Sequence, residues 1–414
     1  TTPEPAGIVG FYLLGSVPEP WTTYQGIHAV PAGCTMRVTS TGPTQPKQYF
    51  SIAQIWQQAK QSTARPEELQ QQVRDALIDS VKHHMVSDVP VGAFLSAGID
   101  SGALVGLMSQ LNTENRKLKT ITLAFEEFKG TNNDESPLAQ KVAELYGTDH
   151  TTRYVTEQEF HDYLPKILDA MDQPTIDGIN TWFVAKAAKE QGLKVAISGL
   201  GGDELFGGYP SFQDLPRWVK RFWLTSHVPG LGWLSEQVFS AFAPLFPRVN
   251  PKAAGMLQYG GTWQGAYMLR RGLFLPGELP DIIGKEMAQE GLRRLKPLQH
   301  IKNQLQSSVG GAPSPRLASD HGIISTLESS LYMRNQLLRD TDWASMAHSL
   351  EVRTPLVDAW VLRHLAGSLS NSTILNKKSC LEMTLGPKLP VEVSSRAKTG
   401  FTTPIADWQQ HANN

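Results

Sequence analysis

Residues 95–102 read Leu-Ser-Ala-Gly-Ile-Asp-Ser-Gly, between an apolar run, Val91 to Leu95, and a helical pattern, Ser101 to Leu111. Small residues let consecutive backbone N–H groups turn toward one anion, and a helix N-terminus adds partial positive charge. Ser96 and Ser101 offer hydroxyl groups, and Asp100 can hold a magnesium ion that bridges phosphates. A polyphosphate meets every part of that layout. An ordinary strand-to-helix turn capped by Ser and Gly uses the same residue types, and on this stretch alone the two readings weigh equally. No Gly-Lys-Ser/Thr follows, so Walker-type transfer of a terminal phosphoryl group is disfavoured.

A second glycine-rich stretch, Ser198-Gly-Leu-Gly-Gly-Asp-Glu-Leu-Phe-Gly-Gly-Tyr209, follows another short apolar run, Leu193 to Ile197. Such a density of glycine permits close backbone approach to a ligand and is entropically unfavourable if nothing binds. Asp203 is placed to act as a second carboxylate ligand to magnesium. A flexible linker is the competing reading, but linkers rarely grow out of an apolar strand.

SAGIDS resembles the Ser-Gly-Gly-x-Asp-Ser signature of N-type ATP pyrophosphatases. Taken with SGLGGDELFGGY, with Ser345-Met-Ala-His-Ser-Leu-Glu-Val-Arg-Thr-Pro-Leu-Val-Asp358 and with Lys398-Thr-Gly-Phe401, the chain resembles the glutamine-hydrolysing asparagine synthetases. The likeness runs from GFYLLGSVPEP to PIADW, and four separated motifs in order are far more specific than any one. The resemblance implies ATP-dependent, AMP-forming amide synthesis through an acyl-adenylate, with ATP and Mg2+ bound. It implies that Leu95 and Phe125 present backbone to adenine, that Ser96, Gly98 and Ser101 cradle pyrophosphate, and that Ser198 and Gly199 border the adenylate. It assigns metal binding to Asp100 and Asp203, and neutralisation of phosphate charge to Lys398. Arg339 is a further catalytic candidate. Asp342, Glu351 and Arg353 are either substrate contacts or structural ion pairs, with the structural reading favoured for Glu351 and Arg353.

Two departures bear on function. Relatives that hydrolyse glutamine use a cysteine at position 1 of an N-terminal domain, whereas this chain begins with Thr1, and only its first 38 residues resemble the far end of that domain. Neither Cys34 nor Cys380 stands at the nucleophile position, so glutaminase activity is not expected from this chain, and the 414 residues are expected to be less than the whole protein. Asparagine synthetases also carry Glu where Leu200 stands, in Ser-Gly-Glu-Gly. Leucine cannot take the proton of incoming ammonia. The alternatives are a lactam- or macrolactam-forming synthetase acting on a natural-product precursor, and a catalytically inactive nucleotide-binding paralogue.

These residues need a scaffold. From about 88 to 210 the chain alternates apolar strands (Val91–Leu95, Leu118–Phe125, a strand ending Arg153–Val155, Leu193–Ile197) with helices opened by Ser136-Pro137, Thr156 and Gly178. That alternation predicts a doubly wound parallel α/β sheet of the N-type ATP pyrophosphatase type, with ligands at the carboxyl ends of its strands. Before it, Leu69, Val73, Leu77 and Val81 follow Pro66 with helical spacing. After it the chain reads as helical, with Ile324 to Leu350 the longest pattern and Trp218, Trp223, Trp233 and Trp263 in a Pro- and Gly-broken region. Residues 1–55 alternate between turns at Gly26–Val30 and Cys34–Val38 and read as a β remnant of a class II glutaminase domain. Residues 60–414 read as one synthetase domain.

Lys plus Arg (38) balance Asp plus Glu (39). The balance disfavours nucleic acid as a partner and, with no paired cysteines, disfavours tRNA thiolation. Two cysteines fit a reducing compartment, the cytoplasm. No membrane partner is expected, since no apolar run reaches about eighteen residues. Small-molecule substrates are the expected partners, with a homodimer left open.

Overall fold

The computed structural model describes residues 2–60, 65–112, 116–226, 252, 255–306, 318–370, 381, 388–396, 403–405 and 408. The chain forms two compact units, 1–59 with 173–176 and 209–336, and 60–172 with 177–208 and 337–414.

The second unit is built on a five-stranded sheet: β1 (Val91–Phe94), β2 (Lys119–Phe125), β3 (Asp149–Val155), β4 (Val195–Ile197) and β5 (Glu351–Arg353). Their order is β3-β2-β1-β4-β5, and every pairing is parallel. Ala93 sits in register with Thr120 on one side and Ile197 on the other. β2 is buried continuously from Thr120 to Phe125, as a strand covered on both faces must be, rather than alternating. The sheet is therefore the mixed α/β architecture that the strand–helix alternation predicts.

The helices follow their local signals. Pro66–Met85 buries Leu69, Val73, Leu77 and Val81 completely and packs on Ala359–Leu369. Ile99–Leu111 buries every residue from Ser101 to Met108, which is why its sequence shows little amphipathic stripe. Ser136–Tyr146 carries Pro137 in its first turn and ends at Gly147, whose φ of 65° terminates it. Glu157–Ala170 opens with the Thr156 hydroxyl accepting from the Glu159 N–H at 3.2 Å. Ile179–Glu190 packs against Arg339–Met346 and β2. Phe125, Phe160, Trp182, Phe183, Trp343 and Trp408 supply the aromatic residues of one buried cluster in this core, which also holds Val155.

The first unit corrects two expectations. Pro5–Leu14, expected as part of a β remnant, is a helix. Pro5 presets its first turn, the Glu4 carboxylate accepts the Ala6 N–H at 3.2 Å, and Gly15 ends it at φ 79°. Its Ala6, Val9 and Leu13 pack with Leu279, Ala288 and Leu295 in a shared core. The run Gly26–Val30 makes no strand. What forms are two short antiparallel pairs, Cys34–Thr35 with Lys47–Gln48 and Val38–Thr39 with Gly42–Pro43.

The long pattern Ile324 to Leu350 is the other correction. It resolves into an α-helix, Asp320–Leu327, a π-helical stretch, Glu328–Leu338, and an α-helix that ends at Met346. Glu328 is fully buried and accepts from Arg271 Nε at 2.9 and 3.2 Å and from Ser211 Oγ at 2.5 Å. Trp218 and Trp263 pack on the first unit's helical core, whereas Trp223 is exposed. Trp233 lies outside the described residues. Among the described residues, no helix is long and apolar enough to cross a membrane.

Candidate functional site

Both glycine-rich motifs leave the carboxyl ends of neighbouring strands, Leu95–Gly102 after β1 and Ser198–Gly208 after β4. The strand order reverses between β1 and β4, and in open parallel sheets that is where two loops diverge and leave a ligand crevice. Leu95 continues the sheet: its N–H donates to the Ile121 carbonyl at 2.8 Å, and its carbonyl accepts from the buried Thr122 hydroxyl. Ser198 does the same on the other side, donating its N–H to the Arg353 carbonyl at 2.9 Å. The loops therefore start from rigid strand ends.

Within the first loop the hydroxyls gather the polar groups. Ser101 Oγ accepts from the Ser96 N–H at 3.1 Å and lies 3.0 Å from Ser96 Oγ, which accepts the Gly98 N–H at 3.2 Å. Gly98 is the N-cap of Ile99–Leu111 and has no side chain to satisfy the first-turn N–H groups. The N-terminus of a thirteen-residue helix, without a side-chain cap, thus lies at the end of this loop.

The two loops touch. A Cβ on Gly199 would fall 2.9 Å from the Ser101 nitrogen, and one on Gly202 would fall 2.5 Å from both Cγ and Oδ1 of Asp100. Only glycine allows these approaches. Gly201, at φ 95° and close to Val357, is the left-handed residue that turns the chain into the buried helix Gly202–Phe206. That helix carries Asp203, 4 % exposed, one residue past the contact with Asp100. Leu200 is half-buried between Gly199 and Gly201.

Among the described residues no group of three or more His, Cys, Asp or Glu is gathered to hold a metal ion. Magnesium is commonly held by one or two carboxylates with phosphate oxygens and water completing the octahedron. The carboxylate of Asp100, pressed against the residue that precedes Asp203, is compatible with that donor set.

The other expected residues fall in different places. Phe125 ends β2 and is 3 % exposed, its ring edge-on to Phe128 at 6.0 Å and to Trp408 at 5.7 Å. Beside it a shallow open hollow is lined by Leu123, Phe125, Phe128, Asp134, Glu135 and Arg396. Arg339 opens the helix Arg339–Met346, which packs on β5 rather than forming part of either loop, and Asp342 is exposed on the same helix. Glu351 and Arg353 pair with each other at 2.7 Å, and Arg353 Nη1 also donates to the carbonyls of His84 and Val86. That is the structural role. Lys398, with Gly400 and Phe401, lies outside the described residues, as does Cys380.

Sequence reasoning missed three supporting features. Thr122 binds the Leu95 carbonyl from a strand that reads simply as apolar. Leu389 covers Gly102, where a Cβ would lie 2.9 Å from Leu389 Cδ2. Asp177 donates nothing to the pattern by eye, yet it accepts the Gly178 N–H at 2.9 Å at the start of Ile179–Glu190, and burial pushes its carboxyl up. A Cβ on Gly178, at φ 93°, would fall 3.0 Å from the buried Asp340 carboxylate.

A family model described as Asparagine synthase matches residues 72–414. The chain is 29 % identical over 405 residues to asparagine synthetase [glutamine-hydrolyzing] 1 of Bacillus subtilis (strain 168), covering 96 % of this chain and 59 % of that protein. It is 30 % identical over 419 residues to a putative asparagine synthetase [glutamine-hydrolyzing] of Mycobacterium tuberculosis (strain ATCC 25618 / H37Rv), covering 96 % and 58 %. A shorter match, 29 % over 225 residues, is to the amidase chyE of Penicillium rubens, covering 51 % of this chain and 33 % of that one. The chain spans about three fifths of the length of the two synthetases it matches. With the family model covering the whole sheet and both of its loops, the chain belongs to the asparagine synthase family.

Proposed function

We propose that this chain is an ATP-dependent, AMP-forming carbon–nitrogen ligase working through an acyl-adenylate on an N-type ATP pyrophosphatase fold. The contact of the Asp100 carboxylate with Gly202 at the strand-order switch is the observation that supports it most. A carboxylate oxygen of the acid substrate attacks the α-phosphorus of ATP, and the bond from that phosphorus to the bridging oxygen breaks. Pyrophosphate leaves toward the N–H groups and hydroxyls of Ser96, Gly98 and Ser101, while Ser198 and Gly199 border the adenylate. The amine then attacks the acyl carbon, AMP leaves with the acyl oxygen, and the amine loses a proton. Asp100 and Asp203 would hold Mg2+, which would supply charge neutralisation for the leaving phosphates. Lys398 is assigned the same electrostatic task at the α- and β-phosphates. Leu95 and Phe125 are assigned the adenine, and Arg339 the substrate side.

Aspartate and ammonia are the proposed substrates, with ammonia drawn from glutamine in a longer protein whose glutaminase domain would end in residues 1–55; residues 60–414 would be the synthetase domain. The location proposed is the cytoplasm. Leu200 supports a second reading, because a half-buried leucine in the crevice offers no base for ammonia and suits a larger, less polar amine or an internal one, as in lactam formation. Incubation with ATP, Mg2+, aspartate and ammonium, followed by chromatography of AMP, pyrophosphate and amide, tests the first reading. AMP and pyrophosphate without asparagine would transfer the assignment to another acid or amine. Calorimetry with no ATP binding would leave an inactive paralogue.

A further inference from the structure

We infer that Asp177 takes the proton of the incoming amine, the task for which Leu200 has no chemistry; the inference rests on the ligase reading above. Asp177 stands next to Gly178, the N-cap of the helix Ile179–Glu190. Its Oδ1 accepts the Gly178 N–H at 2.9 Å, and Asn180 donates a further side-chain hydrogen bond to the carboxylate. The residue is half-buried rather than enclosed. Burial pushes its carboxyl up from the ordinary range, which makes the ionised form a stronger proton acceptor. The neighbouring Asp340 is no rival for the role, since it is 2 % exposed and accepts the Trp343 Nε1–H at 3.0 Å.

The packing of the helix Ile179–Glu190 places Asp177 at the end of the sheet where both glycine-rich loops leave. The helix leads directly into β4. Toward its end, Ala185 and Ala188 share a buried cluster with Ile121 and Ala196, within the sheet. Nearer its start, Trp182 and Phe183 share another with Leu123 and Phe125, where β2 ends. Each step back along the helix is therefore a step toward the carboxyl ends of the strands. Asp177 stands before Trp182 by more than one turn, on the order of 7 Å further out. The helix Arg339–Met346 packs alongside and leads into β5 in the same way. The two are tied at the amino end of the sheet, where the Glu351 N–H donates to the Lys194 carbonyl at 2.9 Å. They meet again at the other end, where a Cβ on Gly178 would fall 3.0 Å from Asp340 Cγ. Ala196 packs on the helix side of β4, and strand alternation puts Ser198 on that side too, since its N–H continues the ladder to the Arg353 carbonyl. Asp177 is thus on the face where Ser198 would border the adenylate, two residues before Leu200.

In the step assigned to it, the amine nitrogen attacks the acyl carbon and the bond from that carbon to the adenylate oxygen breaks. AMP leaves with the electron pair, and a proton passes from nitrogen to an Asp177 oxygen. Asparagine keeps the size of the side chain and an oxygen for the Gly178 N–H but cannot take the proton, so D177N isolates the role. The full chain is assayed with ATP, Mg2+ and aspartate, or with whichever member of a carboxylic-acid panel serves it best. One assay follows acid-dependent ATP–pyrophosphate exchange without amine, and the other follows amide formation with ammonium. D177N should keep exchange within about three-fold of wild type and lower amide formation by about 100-fold. D177E, which retains a carboxylate, should make amide at least about ten-fold faster than D177N. Unchanged amide formation in D177N overturns the assignment of Asp177 alone. So does a parallel loss of exchange, which would mark a structural cap, or a D177E no better than D177N. A wild type that supports no exchange with any acid removes the ligase reading and this assignment together.

Discussion

The Asp100 carboxylate lies directly on the backbone of Gly202, so close that a β-carbon there would sit 2.5 Å from Oδ1. Two loops that are far apart in sequence are fitted to each other at an acidic group, and the fit depends on a hydrogen atom standing where any other residue has a methyl group or more.

Gly202→Ala should therefore displace Asp100 and lower pyrophosphate release by about 100-fold. Gly202 begins a helix at an ordinary backbone angle, where alanine is preferred by up to about 1 kcal/mol, so thermal stability should change little. Turnover and the unfolding midpoint measured on one preparation check this. Full activity in the variant would mean that Asp100 is free to move without consequence.

Leu200→Glu restores a proton acceptor beside Gly199. The amount of asparagine formed per pyrophosphate released should rise with ammonium as nitrogen donor. An unchanged ratio would show that the amine site is set elsewhere, and would favour the lactam-forming reading.

His348 makes stability depend on pH. Burial against Trp182, with Lys186 and Lys189 nearby, holds its pKa down to about 4 from an ordinary 6.5. A histidine depressed in the folded state takes up its proton more readily when unfolded. Its contribution is therefore complete above about 6.5 and is lost as pH falls from there toward 4. Up to roughly 3 kcal/mol is at stake. Denaturant melts at pH 7 and pH 5 should show His348→Gln losing less stability on acidification than wild type. Parallel losses would exclude the mechanism.

Glu328 is fully buried, and Arg271, gripped between the rings of Tyr209 and Tyr332, keeps its guanidinium charged against that carboxylate. Glu328→Ala leaves a buried cation uncompensated and should cost about 3–5 kcal/mol. Replacing both partners with apolar residues should cost clearly less. A double-mutant cycle on denaturant midpoints checks the difference, and equal losses would refute the pairing.

The β1–β4 half of the molecule was legible because its signals are local. Apolar runs the length of a strand, a proline after Ser136 and a threonine before Glu157 each act within a few residues, and the structure places elements there. Pro5–Leu14 was not legible for the opposite reason. AGIVGFYLL is apolar all round, so it shows no period, and its core partners lie near residue 290. In the site, the glycine motifs announced both loops, but not that Asp100 would rest on Gly202, since that contact exists only once β1 and β4 are neighbours. Thr122 carries no motif at all. Its bond to the Leu95 carbonyl arises from pairing across the fold.

Ser96, Gly98 and Ser101 answer one another's hydrogen bonds. An incoming phosphate must exchange those bonds one for one, so it gains little from the loop's neutral donors alone. A small anion such as inorganic phosphate offers nothing further to offset the exchange. A long polyanion reaching the N-terminus of the Ile99–Leu111 helix and a shared cation would, on the proposed function. Under the proposed function, the closed knot of hydroxyls would favour a long polyanion over a small one.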